Sequence, residues 1–173
     1  MKIGKLNYIV ERFYLKDDGI FPNSHLSVLL YKDVLKLPKL FPALAVKRLF
    51  GSNNWKNAWT NGIYEYHHYH SITHEVVGVI NGRATIQIGG DNGIDIRLEK
   101  GDVLIIPAGV AHKNLDKENA IKCVGAYPEG KNYDMNYGKE NERPKTDKNI
   151  AKVEIPSTDP VFGTVRGVHR LWK

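Results

Sequence analysis

The fold of this chain is decided by one stretch of its sequence, GIYEYHHYHSITHEVVGVING at residues 62–82. The stretch is dense in β-branched and aromatic residues, which favour strands. It ends in Asn81-Gly82, the dipeptide typical of a two-residue hairpin turn. Beyond that turn, apolar and polar residues continue to alternate. We therefore predict three successive strands, over residues 62–70, 75–80 and 83–88.

The predicted hairpin assigns a face to each of its residues, because side chains alternate between the two sides of a strand. A two-residue turn pairs Ile80 with Arg83 and, further along, Glu75 with Ile88. One face of the hairpin is then apolar except for a single carboxylate, so we predict that it is the inner face of the fold. That face carries Glu75, Val77, Val79, Ala84, Ile86 and Ile88.

The carboxylate of Glu75 needs a partner, since a charge at the end of an apolar face is costly. His68 and His70 stand two residues apart and therefore share a face of the preceding strand. Imidazole and carboxylate groups suit first-row divalent metal ions, of which Fe, Mn, Ni and Zn all tolerate this mixture. His112 follows a fully buried run, predicted as a strand at 103–106, and the turn at 107–109, so it can supply a fourth donor. The predicted metal ligands are His68, His70, Glu75 and His112.

One alternative to this ligand set stays open. The step from His70 to Glu75 changes parity, so residues 71–73 must form a turn or a bulge. His74 falls on the outer face in the predicted register, but a bulge before Val76 would shift that register. His74 would then replace Glu75 as a ligand.

Two further side chains near the ligand set could serve either chemistry or packing. Tyr66 shares the face of His68 and could donate a hydrogen bond to a bound molecule, or it could fill the mouth of the fold as a core aromatic residue. Cys123 alternates with Lys122 and so points inward. For this cysteine a buried structural thiol is favoured over a thiol near the metal.

The chain divides into three predicted regions around the opening stretch. They are N-terminal strands and a short helix at 1–61, a barrel core with the metal site at 62–127, and a C-terminal extension at 128–173. In the central region, short strands follow one another between glycine-rich turns. This pattern predicts an all-β sandwich or barrel.

Both flanking regions are predicted to pack on the core. The first contains strand-like pieces at 8–15 and 26–31 and one short helix at 42–50, with Pro42 in its first turn and Gly51 at its end. The last region is rich in charge but finishes in an apolar stretch. This composition predicts an extended tail that packs back on the barrel.

Composition excludes several classes of protein. The chain has 173 residues and a formal net charge of +6, but its basic residues are scattered and form no stripe with aromatic residues, so nucleic-acid binding has little support. Cys123 is the single cysteine, which excludes an internal disulfide and favours a reducing compartment. No stretch reaches the ~20 apolar residues of a membrane span, and residues 1–10 lack the apolar run of a signal peptide. We predict a cytoplasmic protein that binds neither nucleic acid nor membrane.

Two spaced motifs resemble those of the cupin family. The first runs Gly62, five residues, His68-x-His70, four residues, Glu75, six residues and Gly82. The second runs Gly101, five residues, Pro107-x-Gly109, two residues and His112. Asp116 stands where the family usually has asparagine, four residues beyond that histidine. This departure lies outside the predicted ligands.

A wider likeness, to the small single-domain YjlB-like cupins, extends over most of the chain. It rests on the sequences NG at 61–62, HHYHS at 67–71, HEV at 74–76, GAYP at 125–128 and DPVFG at 159–163. The resemblance implies a cupin jelly-roll β-barrel with one divalent transition metal ion inside. Together with the flanking regions, it predicts an all-β fold with a short N-terminal helix and an extended C-terminal tail. It brings no established substrate.

The resemblance implies two classes of function. One is an enzyme of the dioxygenase, isomerase or decarboxylase type, in which the metal acts on a small molecule as a Lewis acid or redox centre. The other is a non-catalytic protein that binds or senses a small metabolite with the help of the metal. Cupin resemblance also favours a homodimer, in which strand 8–15 or strand 26–31 covers a sheet edge of a partner.

Overall fold

The architecture was obtained as a computed structural model, which describes residues 9–118 and 120–173. In this part of the chain, nine short strands and three short helices follow one another. In chain order they are β1 (Val10–Phe13), β2 (Val28–Tyr31), α1 (Pro42–Ser52), β3 (Trp55–Asn61), β4 (Glu75–Asn81), β5 (Arg83–Ile88), β6 (Ile94–Glu99), β7 (Val103–Ile106), β8 (His112–Asn114), β9 (Lys122–Pro128), α2 (Lys145–Ile150) and α3 (Val168–Leu171).

The strands form two antiparallel sheets, an arrangement that fits a jelly roll. The larger sheet has the order β1-β2-β7-β4-β9-β3, and the smaller has the order β6-β5-β8. Apolar side chains from both sheets meet in one cluster, the central core, to which β4 contributes Val77 and Val79 and β5 contributes Ile86 and Ile88. The two sheets therefore face each other across this core. Closure of the sheets into a barrel stays a prediction.

The opposite face of the larger sheet is buried beneath the flanking regions. Helix α1 places Val46 and Phe50 on that face, and the C-terminal extension adds Val168 and Trp172. The indole Nε1 of Trp172 donates a hydrogen bond of 2.7 Å to the carbonyl oxygen of Ser27. Burying a large apolar side chain fully stabilises a fold by roughly 1.5–3 kcal/mol, so these contacts hold α1 and the C-terminal extension to the sheet.

The predicted hairpin between residues 75–80 and 83–88 is wrong in its pairing. Strand β4 pairs with β7 and β9, whereas β5 pairs with β6 and β8, so the two strands lie in different sheets. Of the dipeptide Asn81-Gly82, only Gly82 has a positive φ, at 72°, whereas a type I′ turn needs positive φ at both residues. The dipeptide instead marks the corner where the chain passes from one sheet to the other.

The predicted inner face is nevertheless confirmed. Its apolar members all belong to the central core: Val77, Val79, Ala84, Ile86 and Ile88. Alternation is a property of each strand by itself and does not depend on the identity of its partners. The assignment of residues to the inner face is therefore correct even though the predicted pairing of β4 with β5 is wrong.

The predicted strand at 62–70 is also wrong. Strand β3 ends at Asn61, and within residues 62–70 only His68 and Tyr69 form bridges, to His112 and Asn136 respectively. The backbone of this segment bonds to distant parts of the chain instead of to one neighbouring strand. Strand β3 was missed because its alternation is interrupted: Asn57 has a φ of 53°, and the register with β9 shifts beside it.

Helix α1 and strands β1 and β2 of the flanking regions lie where they were predicted, but their bounds differ. Helix α1 covers the predicted helix 42–50 and ends two residues later. Strands β1 and β2 lie within the strands predicted at 8–15 and 26–31. Residue 8 lies outside the described residues. The C-terminal extension is not extended throughout, because it contains α2 and α3. The three-region division stays a prediction. No helix among residues 9–118 and 120–173 has the length and apolarity to cross a membrane.

Candidate metal centre

A cavity of about 240 Å³ opens beside the start of β4. Its wall combines polar side chains with aromatic rings, which come from three parts of the chain that lie far apart in sequence. All four predicted ligands line it, together with Trp59, Tyr64, Val77, Tyr127, Tyr133 and Met135. The structure therefore brings the predicted ligands together in one accessible place.

Glu75 is the central residue of this group. It is buried, and its Oε2 lies 3.4 Å from Nε2 of His70 and 3.6 Å from Nε2 of His112. Its other oxygen, Oε1, accepts a hydrogen bond of 2.9 Å from the hydroxyl of Tyr127. One carboxylate oxygen is thus held by the protein, while the other faces the histidines.

Each of the three histidines presents the same ring nitrogen to the group. Their Nδ1 atoms lie close to backbone carbonyl oxygens, which can only accept hydrogen bonds, so each Nδ1 carries a proton and Nε2 is the nitrogen left for a metal ion. A neutral imidazole oriented in this way is the usual state of a metal-binding histidine. The carbonyl partners belong to Tyr66 for His68 (3.3 Å), Asp134 for His70 (2.5 Å) and Val110 for His112 (3.2 Å).

Backbone bonds place the three histidines side by side. His112 begins β8, and its N–H donates to the carbonyl oxygen of His68 at 3.0 Å, while the N–H of His68 donates back at 3.3 Å. The two imidazole centroids are 4.2 Å apart as a result. The N–H of Gly109, in the turn before β8, donates to the carbonyl oxygen of His70 at 2.8 Å. The turn and the bridge together set the spacing of the rings.

Burial is the largest influence on the pKa of each of these groups, and it disfavours charge. It lowers the pKa of His68, and with the nearby His68 it lowers the pKa of His112 to about 3. Burial alone would raise the pKa of Glu75, but the histidines, His70 above all, hold it at about 2. Burial would likewise lower the pKa of His70, but Glu75 outweighs it and the pKa is raised. Glu75 is therefore anionic, and His68 and His112 are neutral at neutral pH.

Two residues behind Glu75 were not identified from the sequence. Nε1 of Trp59 donates to the Tyr127 hydroxyl at 3.0 Å, and Tyr127 in turn donates to Glu75. The indole of Trp59 lies across Gly125, where an added Cβ would stand 2.0 Å from a ring carbon. The inward position of Cys123 could have revealed Tyr127, since residues 123, 125 and 127 share a face of β9.

His74 lies outside the cavity, as alternation with Glu75 along one strand predicts. It is buried on the other side of the larger sheet, with its ring centroid 4.8 Å from that of Trp172. Its Nδ1 accepts from the N–H of Ala108 at 2.9 Å, and its Nε2 donates to the carbonyl oxygen of Glu154 at 3.2 Å. His74 thus has the opposite tautomer to the three cavity histidines, and both of its nitrogens already have protein partners.

Tyr66 and Cys123 do not line the cavity. Tyr66 is 48% exposed and stacks on Tyr64, with 4.9 Å between the two ring centroids. Tyr64, unlike Tyr66, lines the cavity. A role for Tyr66 as a hydrogen-bond donor stays a prediction. Cys123 is buried in the central core, and burial raises the pKa of its thiol, as the structural interpretation requires.

The donor set fits a divalent metal ion in its chemistry. Two donor atoms each bound about 2.1 Å from one ion stand roughly 3.0–3.4 Å apart, and the separations of Glu75 Oε2 from His70 and His112 are 3.4 and 3.6 Å. Among residues 9–118 and 120–173, no three or more His, Cys, Asp or Glu side chains already have the arrangement of a formed metal centre. Metal binding by these four side chains therefore stays a prediction.

Comparison with known proteins relates the chain to one family. Residues 59–121 match the model of the cupin domain family. The uncharacterized protein YjlB of Bacillus subtilis (strain 168) is 37% identical to the chain over 163 residues, which cover 94% of this chain and 96% of that protein.

Two solved structures share a weaker likeness. The acireductone dioxygenase of Bacillus anthracis, with a cadmium ion in its active centre, is 15% identical with a TM-score of 0.40 and covers 55% of this chain. A mutant of Bacillus subtilis oxalate decarboxylase is 15% identical with a TM-score of 0.35 and covers 64% of this chain. The chain spans 64% of the dioxygenase and 23% of the decarboxylase, less than two thirds of either.

Proposed function

We propose a function from one premise: the chain belongs to the cupin family, together with its Bacillus subtilis relative. Its function is to bind one divalent transition metal ion, such as Fe, Mn, Ni or Zn, on His68, His70, Glu75 and His112. With this ion it acts on a small molecule in a reaction of the dioxygenase, isomerase or decarboxylase type. The observation that carries the proposal is a buried carboxylate whose Oε2 lies 3.4 Å from Nε2 of His70 and 3.6 Å from Nε2 of His112, while the Nδ1 atom of each ring contacts a backbone carbonyl oxygen.

The chain's own residues would divide the work between them. A bound metal supplies a Lewis acid or redox centre, and four protein donors leave one or two coordination positions open. Tyr127 holds Glu75 in place, and burial, followed by the charge of Glu75, raises the pKa of Tyr127, so that its hydroxyl stays a donor. The rings of Trp59, Tyr64 and Tyr133 form the aromatic part of the wall, against which a substrate would pack.

A second candidate is a metal-assisted binding or sensing protein without catalysis. Among the described residues that line the cavity, the titratable side chains other than the four proposed ligands are tyrosines: Tyr64, Tyr127 and Tyr133. A wall with no obvious proton acceptor suits a binding protein. It also suits an enzyme whose chemistry comes mainly from the metal.

Metal analysis followed by turnover measurements tests the proposal. Protein purified without a histidine tag and reconstituted with Fe, Mn, Ni or Zn is expected to retain about one equivalent per chain after desalting. Oxygen uptake and product formation on a panel of small metabolites then separate the enzyme from the binding protein. A stoichiometry near zero for every metal would reject the site. Stoichiometric metal with no turnover, but with metal-dependent metabolite binding, would favour the second candidate.

We also propose that the chain forms a homodimer through β1. Among the described residues, this strand is one of the two edges of the larger sheet. Strand β2 lies inside the sheet, so the alternative strand at 26–31 is wrong. Ile9 and Tyr14, which flank β1, are 66% and 63% exposed. An edge strand beside exposed apolar side chains is suited to pairing with a second copy.

Light scattering is expected to give twice the chain mass of 19.6 kDa. Replacing Ile9 and Tyr14 by lysine should shift the protein towards the monomer, because charge on an edge opposes strand pairing. Leu40→Lys, at an exposed apolar residue outside β1, is the matched control and should leave the mass unchanged. A wild-type monomer over a wide concentration range would contradict the dimer.

We further propose a cytoplasmic location, since the single cysteine is buried and free.

A further inference from the structure

The turn between two proposed ligands is the feature that needs explanation. His70 and Glu75 reach the same cavity although their spacing changes parity, so residues 71–74 must turn the chain in one defined way. Ser71 and Thr73 are fully buried in that turn. A buried turn needs partners for its backbone groups, and those partners determine how accurately the two ligands are placed.

The carboxylate of Asp134, in the C-terminal extension, supplies those partners. Its Oδ1 accepts from the N–H of Ser71 at 2.7 Å and from the N–H of Ile72 at 3.3 Å. Its Oδ2 accepts from the Ser71 hydroxyl at 2.5 Å and from Nδ2 of Asn136 at 2.8 Å. Four donors therefore converge on one carboxylate.

The backbone of the same residue orients a proposed ligand directly. The carbonyl oxygen of Asp134 accepts the hydrogen bond from Nδ1 of His70 that leaves Nε2 facing Glu75. The neighbours of Asp134 in the chain, Tyr133 and Met135, both line the cavity. One residue thus contacts the turn with its side chain and the imidazole with its backbone.

We infer that Asp134 is a positioning residue of the metal centre: its carboxylate anchors residues 71–72, and the anchored backbone then orients His70 for the ion. The inference rests on the proposed metal site, since it concerns the arrangement of that site. Partners that orient a ligand commonly contribute a factor of about 10–100 to metal affinity. Asp134 acts from outside the cupin domain match at residues 59–121, so in this chain the C-terminal extension is part of the site.

A side-chain substitution separates this role from a general effect on stability. Asp134→Asn keeps the shape of the side chain but turns an amide NH2 towards the donors of the turn. We expect it to weaken Co²⁺ and Zn²⁺ affinity, measured by competition with a chelator, by about tenfold or more. It should also change the visible absorption of the Co²⁺-loaded protein, which reports ligand geometry. A role in stability alone would lower the melting temperature and leave both readouts unchanged.

Two further variants complete the experiment. Asp147→Asn removes another carboxylate of the C-terminal extension. Asp147 pairs with Arg143 and not with the turn, so this variant should leave the metal affinity and the Co²⁺ spectrum unchanged. Ser71→Ala removes the Ser71 hydroxyl, one of the four donors to the Asp134 carboxylate, and should weaken metal affinity by about threefold to tenfold. It tests the same anchor if Asp134→Asn does not fold.

The outcomes distinguish this inference from the proposal on which it rests. Weaker binding and an altered spectrum in Asp134→Asn or Ser71→Ala, but not in Asp147→Asn, support Asp134 as a positioning residue. Wild-type affinity and spectrum in a folded Asp134→Asn protein overturn it while the metal site stands. A wild-type protein that binds no metal overturns the metal site, and with it this inference.

Discussion

Replacing His68 by alanine is expected to lower divalent-metal affinity by at least about a hundredfold, whereas replacing its neighbour His67 should change it by less than about twofold. Loss of a direct ligand should exceed the 10–100-fold typical of losing an outer partner. The two histidines are adjacent in sequence but point in opposite directions. His68 lines the cavity, while Nε2 of His67 lies 3.2 Å from Oε1 of Gln87 outside it.

Chelator competition with Zn²⁺ or Co²⁺ measures both variants on protein shown to be folded by circular dichroism. His112→Ala provides a second test from a different strand, and its affinity should fall as far as that of His68→Ala. Equal losses in His67→Ala and His68→Ala would point to a general disturbance of the segment, and wild-type stoichiometry in His68→Ala/His112→Ala would reject the site.

Replacing Glu75 is expected to weaken metal binding, whereas replacing His74 is expected to lower the stability of the fold. Glu75→Gln keeps the shape of the side chain but removes the anionic donor, so metal affinity should fall by about tenfold or more. His74→Ala should leave affinity nearly unchanged. Because His74 is buried and both of its nitrogens are hydrogen-bonded, its loss should instead lower the free energy of unfolding by about 2–4 kcal/mol.

Chemical denaturation and metal titration of the two variants give the contrast directly. The expected pattern is a Glu75→Gln protein that folds and binds weakly, beside a His74→Ala protein that binds normally at temperatures where it remains folded. The reverse pattern, with binding lost in His74→Ala and kept in Glu75→Gln, would mean that β4 begins in a different register. The inner-face assignment of β4, which carries Val77 and Val79, would then have to be redrawn.

Much of the fold follows from local pattern, but strand pairing does not. The strand predicted at 83–88 has the bounds of β5, and the buried run at 103–106 has those of β7. The partners of β5 are β6 and β8, and β8 includes His112. A local dipeptide such as Asn81-Gly82 can signal that the chain turns, but it does not contain the information that decides between a hairpin and a corner.

The candidate site shows the same limit. The inward direction of Glu75 follows from alternation along β4, because alternation is local. His68 and His70 lie outside the nine strands, and isolated bridges at His68 and Tyr69 hold their segment in place. The partners that hold them come from far along the chain, as with Tyr127 on Glu75 and Asp134 on His70. Their sequence separations are 52 and 64 residues, and periodicity carries no information at that range.

By itself, the sequence determined which residues of β4 and β5 face inward, which side chains are proposed as metal ligands and which family the two motifs resemble. Each of these properties depends on residue type and on spacing within one strand or turn. Only the tertiary structure decided that β4 and β5 belong to different sheets, that the C-terminal extension lines the cavity and that Asp134 anchors the turn after His70. Those contacts form because folding buries polar groups that must then find partners, and the partner that satisfies each group depends on the whole fold.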